Sequence, residues 1–175
     1  MPYKDFRSHV SRQLIGCHCE LQEVIHWVGD VSRRCWFVTK GLVMVYMHGW
    51  NDKLIYALFE AGEIAILPDS FKNGTRSASG LIAIAGTDLL EINTAQMEVI
   101  YRLFPQSQQL ESKIISAVAA KTEVRTRLLK VPMAERPGEF HKLYPDTEGK
   151  DRKVKLLDRD KANFLNVTDT HFSRF

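Results

Sequence analysis

The thiols and the imidazole of Cys17-His18-Cys19 are the first side chains whose spacing could do chemistry. Cysteine and histidine are the usual ligands of zinc and of iron–sulfur clusters. A Cys-x-Cys pair in a strand places both thiols on one face, but Cys35 is the one further cysteine, so one chain cannot supply four thiolates. Three cysteines are also too few for a disulfide framework. We therefore predict buried structural thiols, no metal site and a reducing compartment.

The sequence lacks the motifs of the common enzyme classes. Its six histidines include no His-x-His pair, which a cupin-type oxygenase would need. It contains no P-loop, no Gly-x-Ser-x-Gly and no His-Glu-x-x-His. We expect no catalytic residues and no enzymatic activity.

Polar side chains able to recognise DNA lie at the C-terminal end. Residues 154–175 divide at Asn166-Val167 into two short helical segments, which Asp158 and Thr168 are expected to cap. Asn166 tolerates the left-handed conformation that so tight a turn requires. The second segment presents a polar face that could contact base edges in a major groove, made of Asp169, Thr170, His171, Ser173 and Arg174.

The charge is distributed unevenly along the chain. The net charge of +3 divides into −1 for residues 1–120 and +4 for residues 121–175. An excess of positive charge at one end permits a polyanionic partner, although an ordinary solvated surface gives the same pattern. Four basic residues that could meet DNA phosphates cluster in the loop 146–155: Lys150, Arg152, Lys153 and Lys155.

The elements that must position these residues change type near residue 93. Up to that point, short runs rich in Val, Ile and aromatic residues alternate with turn-forming residues, which predicts an all-β sandwich or barrel. The predicted strands are 35–38, 42–47, 53–59, 63–67, 80–85 and 88–92.

Helical patterns follow. Asn93 and Gln96 form a capping box before a helix that ends at Pro105. A second pattern from Ser107 to Val131 predicts a helix about 37 Å long. Its near-heptad apolar face suggests contact with the same helix of a second subunit, with packing on its own chain as the alternative; it contains Leu110, Ile114, Ala117, Lys121, Val124 and Leu128.

This order of elements resembles the Crp/Fnr superfamily of bacterial transcription regulators. FVTKGLV at 37–43 is similar to the family's Y/F-x-x-x-G-x-V/L turn, and AGEI at 61–64 is similar to its x-G-D/E-x turn. TRSA at 75–78 is similar to the x-R-S/T-A that closes the phosphate-binding cassette.

The likeness continues at the C-terminal end. AxxLNVT at 162–168 and FSRF at 172–175 are similar to the family's A-x-x-L-G-I/V-T/S-x-x-x-L/V-S-R-I. Ala134-Glu135-Arg136 is similar to the A-E-E-R that precedes the helix-turn-helix of short, divergent members. Pro137-Gly138 departs from the family pattern, and we expect the helix there to begin at Pro137 and to include Phe140, Leu143 and Tyr144.

The resemblance implies an effector pocket whose candidate residues are Gly62, Glu63, Asp69, Arg76 and Ser77. In members that bind cyclic nucleotides, an Arg-Ser pair takes the cyclic phosphate and a Gly-Glu pair takes the ribose. Ile66 and Leu67 stand where Gly-Glu would be, and Asp69 is the one possible substitute. We therefore expect no cofactor and no cAMP, and we predict an unidentified small anionic effector; a surface ion pair is the alternative role for Arg76.

Together these patterns predict an α+β protein made of a β-roll (a double-stranded β-helix or jelly roll), a long dimerisation helix and a small helix-turn-helix domain. The predicted boundaries are 1–105, 106–131 and 132–175. No apolar stretch is long enough to span a membrane or to form a signal peptide, so we expect a cytoplasmic homodimer whose partner is DNA. The alternatives are an effector-binding or protein-interaction module without productive DNA binding, and a true cAMP-binding regulator.

Overall fold

The computed structural model describes residues 3–49, 53–147, 154 and 156–168. The strands are β1 (Ile15–Cys19), β2 (Glu23–His26), β3 (Arg34–Lys40), β4 (Leu42–His48), β5 (Lys53–Glu60), β6 (Ile64–Ala65), β7 (Ser79–Ala83) and β8 (Thr87–Asn93). The helices are α1 (Tyr3–Gln13), α2 (Pro68–Asn73), α3 (Thr94–Leu103), α4 (Gln108–Lys130), α5 (Arg136–Leu143) and α6 (Asp158–Leu165).

Two antiparallel four-stranded sheets form the β-roll. One has the strand order β1-β8-β3-β6 and is called sheet A, and the other has the order β2-β7-β4-β5 and is called sheet B. Their facing sides bury a shared core that includes Val38, Val43, Val45, Phe59 and Leu89. The predicted α+β architecture with a β-roll is confirmed, and β1, β2 and α1 are additions that the sequence patterns did not reveal.

The outer side of sheet B is buried as well. Leu42, Met44 and Tyr46 alternate with the inward valines of β4 and pack against Phe140 of α5 and Phe164 of α6. A strand covered on both sides must be apolar at every position, which explains the continuous run LVMVYM. The C-terminal helices therefore share a core with the roll.

The outer side of sheet A is covered by the N-terminal and central helices. Cys35 and Ile92 of this sheet pack with Ile100 of α3, and Phe6 of α1 extends the cluster. The rings of Phe6 and Phe104 meet edge to face with centroids 5.3 Å apart.

Gly41 makes the turn between β3 and β4 that carries the FVTKGLV motif. Its φ of 85° lies in the left-handed region, and a Cβ at this position would stand 2.5 Å from Thr87 Oγ1. That hydroxyl accepts a hydrogen bond from the Leu42 N–H at 3.2 Å. Glycine is therefore required both by backbone conformation and by close approach.

The helix boundaries follow the predicted signals closely. The capping box of α3 is confirmed, because the Gln96 N–H donates to Asn93 Oδ1 at 2.9 Å and the Asn93 N–H donates to Gln96 Oε1 at 2.8 Å. Helix α4 ends at Lys130, before the extended Val131 that precedes Pro132. Within the described residues, no helix combines the length and the apolar composition needed to cross a bilayer.

Part of the apolar face of α4 packs on its own chain, and the contact with a second subunit stays a prediction. Leu128 is 3% exposed in the cluster beneath sheet B, and Val124 packs against the same cluster. Ile114 packs against the cluster beneath sheet A, whereas Leu110 stays exposed. These residues pack inward because α4 lies along β5, α5 and α6 of its own chain.

The turn after α6 has the predicted geometry. Asn166 has a φ of 52°, and the Val167 N–H donates to the Ala162 carbonyl oxygen at 3.0 Å, which closes a Schellman motif. The predicted cap is wrong: Asp158 is the first helical residue, and Leu157 occupies the cap position without a side-chain hydrogen bond.

Candidate effector and DNA-binding sites

Gly62 and Glu63 line a cavity of about 340 Å³ between the β5–β6 turn and α4. Glu63 Oε1 lies 2.6 Å from Lys121 Nζ, and its Oε2 accepts a hydrogen bond from the Glu60 N–H at 2.8 Å. The Lys121 side chain is 16% exposed, so this ion pair is partly shielded from water. Lys113 lines the same cavity and adds a second positive charge. The ion pair between Glu63 and Lys121, at the edge of this cavity, therefore links the roll to the long helix.

The three other candidate effector residues lie elsewhere. Asp69 is exposed on α2, and Ile66 and Leu67 are buried in two different core clusters. The apolar pair that replaces Gly-Glu therefore serves packing, and Asp69 does not line the cavity beside Glu63. Of the five predicted pocket residues, Gly62 and Glu63 line this cavity and Asp69, Arg76 and Ser77 do not, so a single effector pocket built from all five stays a prediction.

Arg76 and Ser77 are attached to the turn that follows β2. Arg76 Nη1 donates to the Gly29 carbonyl oxygen at 3.2 Å, and the Ser77 N–H donates to the Asp30 carbonyl oxygen at 2.9 Å. The Ser77 hydroxyl accepts a hydrogen bond from the Ser79 N–H at 3.1 Å. The Arg-Ser pair thus stabilises a loop in this structure, while the exposed guanidinium of Arg76 remains accessible to solvent.

A mostly apolar cleft of about 300 Å³ adjoins the outer side of sheet A, between α2, α3 and α4. Cys35 and Tyr101 line it, and the ion pair between Lys72 and Glu111, at 2.8 Å, lies at its edge. Burial raises the pKa of the Cys35 thiol to about 12, and the nearby charge of Glu91 adds to the effect. Cys35 is therefore a protonated, structural thiol at neutral pH.

The structure tests the remaining thiol predictions directly. Cys19 and Cys35 are buried, as predicted, whereas Cys17 is exposed, because only the last residue of β1, Cys19, is covered. Within the part of the chain that the structure describes, no three His, Cys, Asp or Glu side chains gather in a way that could hold a metal ion.

The structure describes only the beginning of the segment predicted to contact DNA. Thr168 is exposed directly after the turn at Asn166. Asp169, Thr170, His171, Ser173 and Arg174 lie outside the described residues, as do Lys150, Arg152, Lys153 and Lys155. The structure does define α6, which leads into this segment, with Ala162 and Leu165 fully buried as predicted.

Three polar side chains that the sequence patterns missed hold α6 in place. Arg125 Nε donates to the Phe164 carbonyl oxygen at 2.8 Å, and Arg136 Nη1 donates to that of Leu165 at 3.1 Å. Both guanidinium groups therefore meet the carbonyl end of α6, where the helix dipole favours positive charge. Asn163 links α6 to β5, because its Oδ1 accepts the Ile55 N–H at 2.7 Å.

Arg136 also fixes the end of α4. Its Nη2 donates to the Leu129 carbonyl oxygen at 2.9 Å, and its Nε donates to that of Val131 at 3.0 Å. The Ala134-Glu135-Arg136 motif was the signal that could have identified this residue, since it resembles the A-E-E-R that precedes the helix-turn-helix domain in short family members. One arginine thus joins the ends of α4 and α6.

Solved structures provide the deciding comparison. FixK2 from Bradyrhizobium japonicum superposes with a TM-score of 0.76 at 16% identity, covering 92% of this chain and 81% of its own. The c-di-GMP-responsive global regulator CLP of Xanthomonas campestris gives a TM-score of 0.75 at 15% identity, covering 98% and 88%. A crp/fnr-family protein from Eubacterium rectale gives 0.70 at 15% identity, covering 99% and 84%.

This chain has the Crp/Fnr fold. No protein-family profile and no curated protein matches the sequence. The Crp/Fnr fold accounts for the observed order of roll, long helix and C-terminal helices, and it agrees with the motif resemblance at 37–43, 61–64 and 162–168.

Proposed function

We propose that this chain is a DNA-binding transcription regulator of the Crp/Fnr type, in which an effector at the β-roll alters the placement of the helix-turn-helix. The observation that carries the proposal is that one face of α4 contacts both parts. Lys121 pairs with Glu63 of the roll, and Arg125, one helical turn later, hydrogen-bonds to the end of α6.

These two contacts lie about 6 Å apart along the helix axis. A ligand that displaces the β5–β6 turn therefore acts on Lys121, and the same rigid helix carries Arg125 against α6. Coupling of this kind requires that the ligand bind the two arrangements with different affinities. A ligand in the cavity beside Glu63 meets this requirement if the cavity changes shape, because the turn bounds the cavity on one side and α4 bounds it on the other.

The opposite face of α4 supports a homodimer. Seven exposed residues lie on one side of the helix, and five of them are small enough to let a second helix approach closely: Ser112, Ser116, Ala119, Thr122 and Thr126, with Ile115 and Glu123 beside them. They lie opposite the face that packs on the chain's own core. We therefore place the subunit contact here, and not on the face of Ile114 and Leu128.

The effector is a small anion, since Lys113 and Lys121 line the cavity beside the β5–β6 turn. We propose that it is not cAMP, because the ribose-binding pair is replaced by the buried Ile66 and Leu67. CLP is described as c-di-GMP-responsive and as a regulator of virulence gene expression. From CLP we take only the general class of function for this chain, control of gene expression in the cytoplasm. We propose neither the ligand of CLP nor any catalytic step for it.

DNA recognition is assigned to residues 168–175. Arg174 stands where the resemblance places an arginine that contacts bases, and a guanidinium fits the O6 and N7 acceptors of guanine. Lys153 is expected to contact phosphates, which adds affinity without sequence preference.

The test measures DNA affinity against salt concentration for the wild-type protein, Arg174→Ala and Lys153→Ala. We expect Arg174→Ala to reduce the preference among sites by about 1 to 3 kcal/mol while leaving the salt slope nearly unchanged. Lys153→Ala should lower affinity for all sites and reduce the salt slope by about 1. Equal effects of both substitutions on sequence preference would contradict the assigned roles. Absence of DNA binding at low salt would favour the protein-interaction alternative.

A further inference from the structure

A polar cavity of about 270 Å³ lies between the end of β2 and the start of β3, away from the cavity beside Glu63. Charged and polar groups are prominent in its lining, where His26, Asp30, Arg33 and Arg34 meet the indoles of Trp27 and Trp36. Its volume is at the lower end of the range for small-molecule sites, so it suits a ligand of few atoms.

His26 supplies the decisive feature. The residue is 8% exposed, and its Nε2 is buried without a hydrogen-bond partner. A buried polar atom that lacks a partner is costly, and native proteins rarely leave one unsatisfied. Because His26 also lines the cavity, a bound group is expected to complete its hydrogen bonding.

The bonding of the His26 ring indicates what that group must offer. Burial lowers the pKa of His26, and Asp30 partly opposes this through its charge and a backbone hydrogen bond. A backbone bond that favours the protonated ring is one in which the ring N–H donates to a carbonyl oxygen. Nε2, the ring nitrogen without a partner, is an acceptor when the ring is neutral, and a ligand hydroxyl group can then donate to it.

The two arginines supply the complementary charge. Arg34 lies 3.4 Å from Glu91, and its side chain remains 59% exposed. No acidic residue that the structure describes forms an ion pair with Arg33. Guanidinium groups recognise carboxylate and phosphate oxygens through paired N–H donors. Asp30, the acid in the lining, can accept a further ligand hydroxyl.

The backbone around the arginines is held from both sides. The Ser32 N–H donates to Ser70 Oγ at 2.8 Å, and the Thr94 N–H donates to the Arg33 carbonyl oxygen at 3.0 Å. A site on a fixed backbone loses less conformational entropy when it binds a ligand.

We propose that this cavity binds a small hydroxylated anion, with its carboxylate or phosphate on Arg33 and Arg34 and a hydroxyl on His26 Nε2. Hydroxy acids and sugar phosphates share this chemistry. The site is separate from the effector cavity at Lys121, so its existence does not depend on the proposed regulatory function.

Calorimetric titration of the full chain with glycerate and with glycerol 3-phosphate tests the proposal. We expect at least one of them to bind with a Kd of about 1 mM or tighter. Propionate and propyl phosphate, which lack the hydroxyl groups, should bind about tenfold more weakly than the matching ligand. Which of the two ligands binds distinguishes a carboxylate site from a phosphate site.

Variants locate the binding. Arg33→Gln should weaken it at least tenfold, whereas Arg102→Gln, at an exposed position on α3, should leave it unchanged. His26→Phe should reduce the difference between each ligand and its deoxy analogue, since only the hydroxyl contact with Asp30 remains; if that variant does not fold, the analogue series on the wild-type protein tests the hydroxyl contact. The proposal is overturned if neither ligand binds when its concentration is raised to 10-fold above about 1 mM; the cavity would then hold water alone. It is also overturned if Arg33→Gln binds the ligands as tightly as the wild type does.

Discussion

Asn163 fastens α6 to the roll, and its removal is expected to destabilise the whole protein. Its Oδ1 accepts the Ile55 N–H at 2.7 Å, and its Nδ2 donates to the Lys53 carbonyl oxygen at 2.5 Å. The two bonds cross from α6, the helix before the segment predicted to contact DNA, to the edge strand β5 of sheet B.

The magnitude follows from the environment of Ile55. Each hydrogen bond contributes about 1 kcal/mol net, and leaving a buried donor without a partner costs about 1 to 3 kcal/mol more. Since Ile55 is 3% exposed, Asn163→Ala leaves such a donor. We therefore expect a loss of about 3 kcal/mol in the free energy of unfolding, or roughly 9 °C in the melting temperature.

Urea denaturation of the wild type and the variant measures this loss directly. Asn73→Ala is the matched control, because Asn73 is exposed at the end of α2, and its effect should stay within about 0.5 kcal/mol. Asn163→Asp keeps the acceptor for the Ile55 N–H but places a carboxylate oxygen against the Lys53 carbonyl, so its loss should be intermediate. A loss for Asn163→Ala no larger than that of Asn73→Ala would refute the assigned role.

Four further outcomes are expected. Gly41→Ala should lower the free energy of unfolding by about 3 kcal/mol in urea denaturation, because the new methyl meets Thr87 in a left-handed backbone. Ile115→Asp should convert dimer to monomer in sedimentation, whereas Ile114→Asp should lower stability instead; a wild type that is already monomeric at micromolar concentration removes the dimer proposal. Millimolar cAMP should not shift the melting temperature, although a ligand at 100 times its Kd would add about 2.7 kcal/mol. Burial lowers the pKa of His26, so the stability that the neutral ring contributes is present above about pH 6.5 and is lost as the pH falls below that value. In His26→Asn the free energy of unfolding should therefore change less between about pH 7 and 5 than in the wild type.

The parts of the fold that were predictable are those set by local sequence. The capping box at Asn93, the end of α4 before Pro132 and the turn at Asn166 each depend on residues within a few positions of one another. Such signals act on the backbone directly, which is why the boundaries of α3 and α4 agree to within a residue or two. The motif at Gly41 was similarly local.

Long-range polar contacts could not be predicted in this way. The bond between Arg125 and Phe164 joins residues 39 positions apart, and that between Asn163 and Ile55 joins residues 108 apart. The near-heptad spacing of α4 marks an apolar face but does not say what covers it, and the neighbouring elements of the same chain cover Leu128. The resemblance that suggested Arg76 and Ser77 as phosphate ligands likewise gave no information on their contacts with the turn at Gly29 and Asp30.

The proposed regulation at the cavity beside Glu63 requires the ion pair between Glu63 and Lys121. Lys121→Met would remove that link while keeping the length of the side chain. If α4 couples the roll to α6, this substitution changes DNA affinity without touching a residue assigned to DNA contact. Unchanged affinity together with unchanged stability would separate the roll from the DNA-binding function.

Selection of genomic DNA fragments by the purified protein at physiological salt tests the central claim most directly, because it assumes neither a ligand nor an operator. A dimeric regulator of this fold should enrich a small set of fragments that share an inverted repeat, with half-sites about one helical turn apart. Arg174→Ala should lose that enrichment. The account is contradicted if no fragment is enriched above background at physiological or low salt, with or without cell extract as a source of effector.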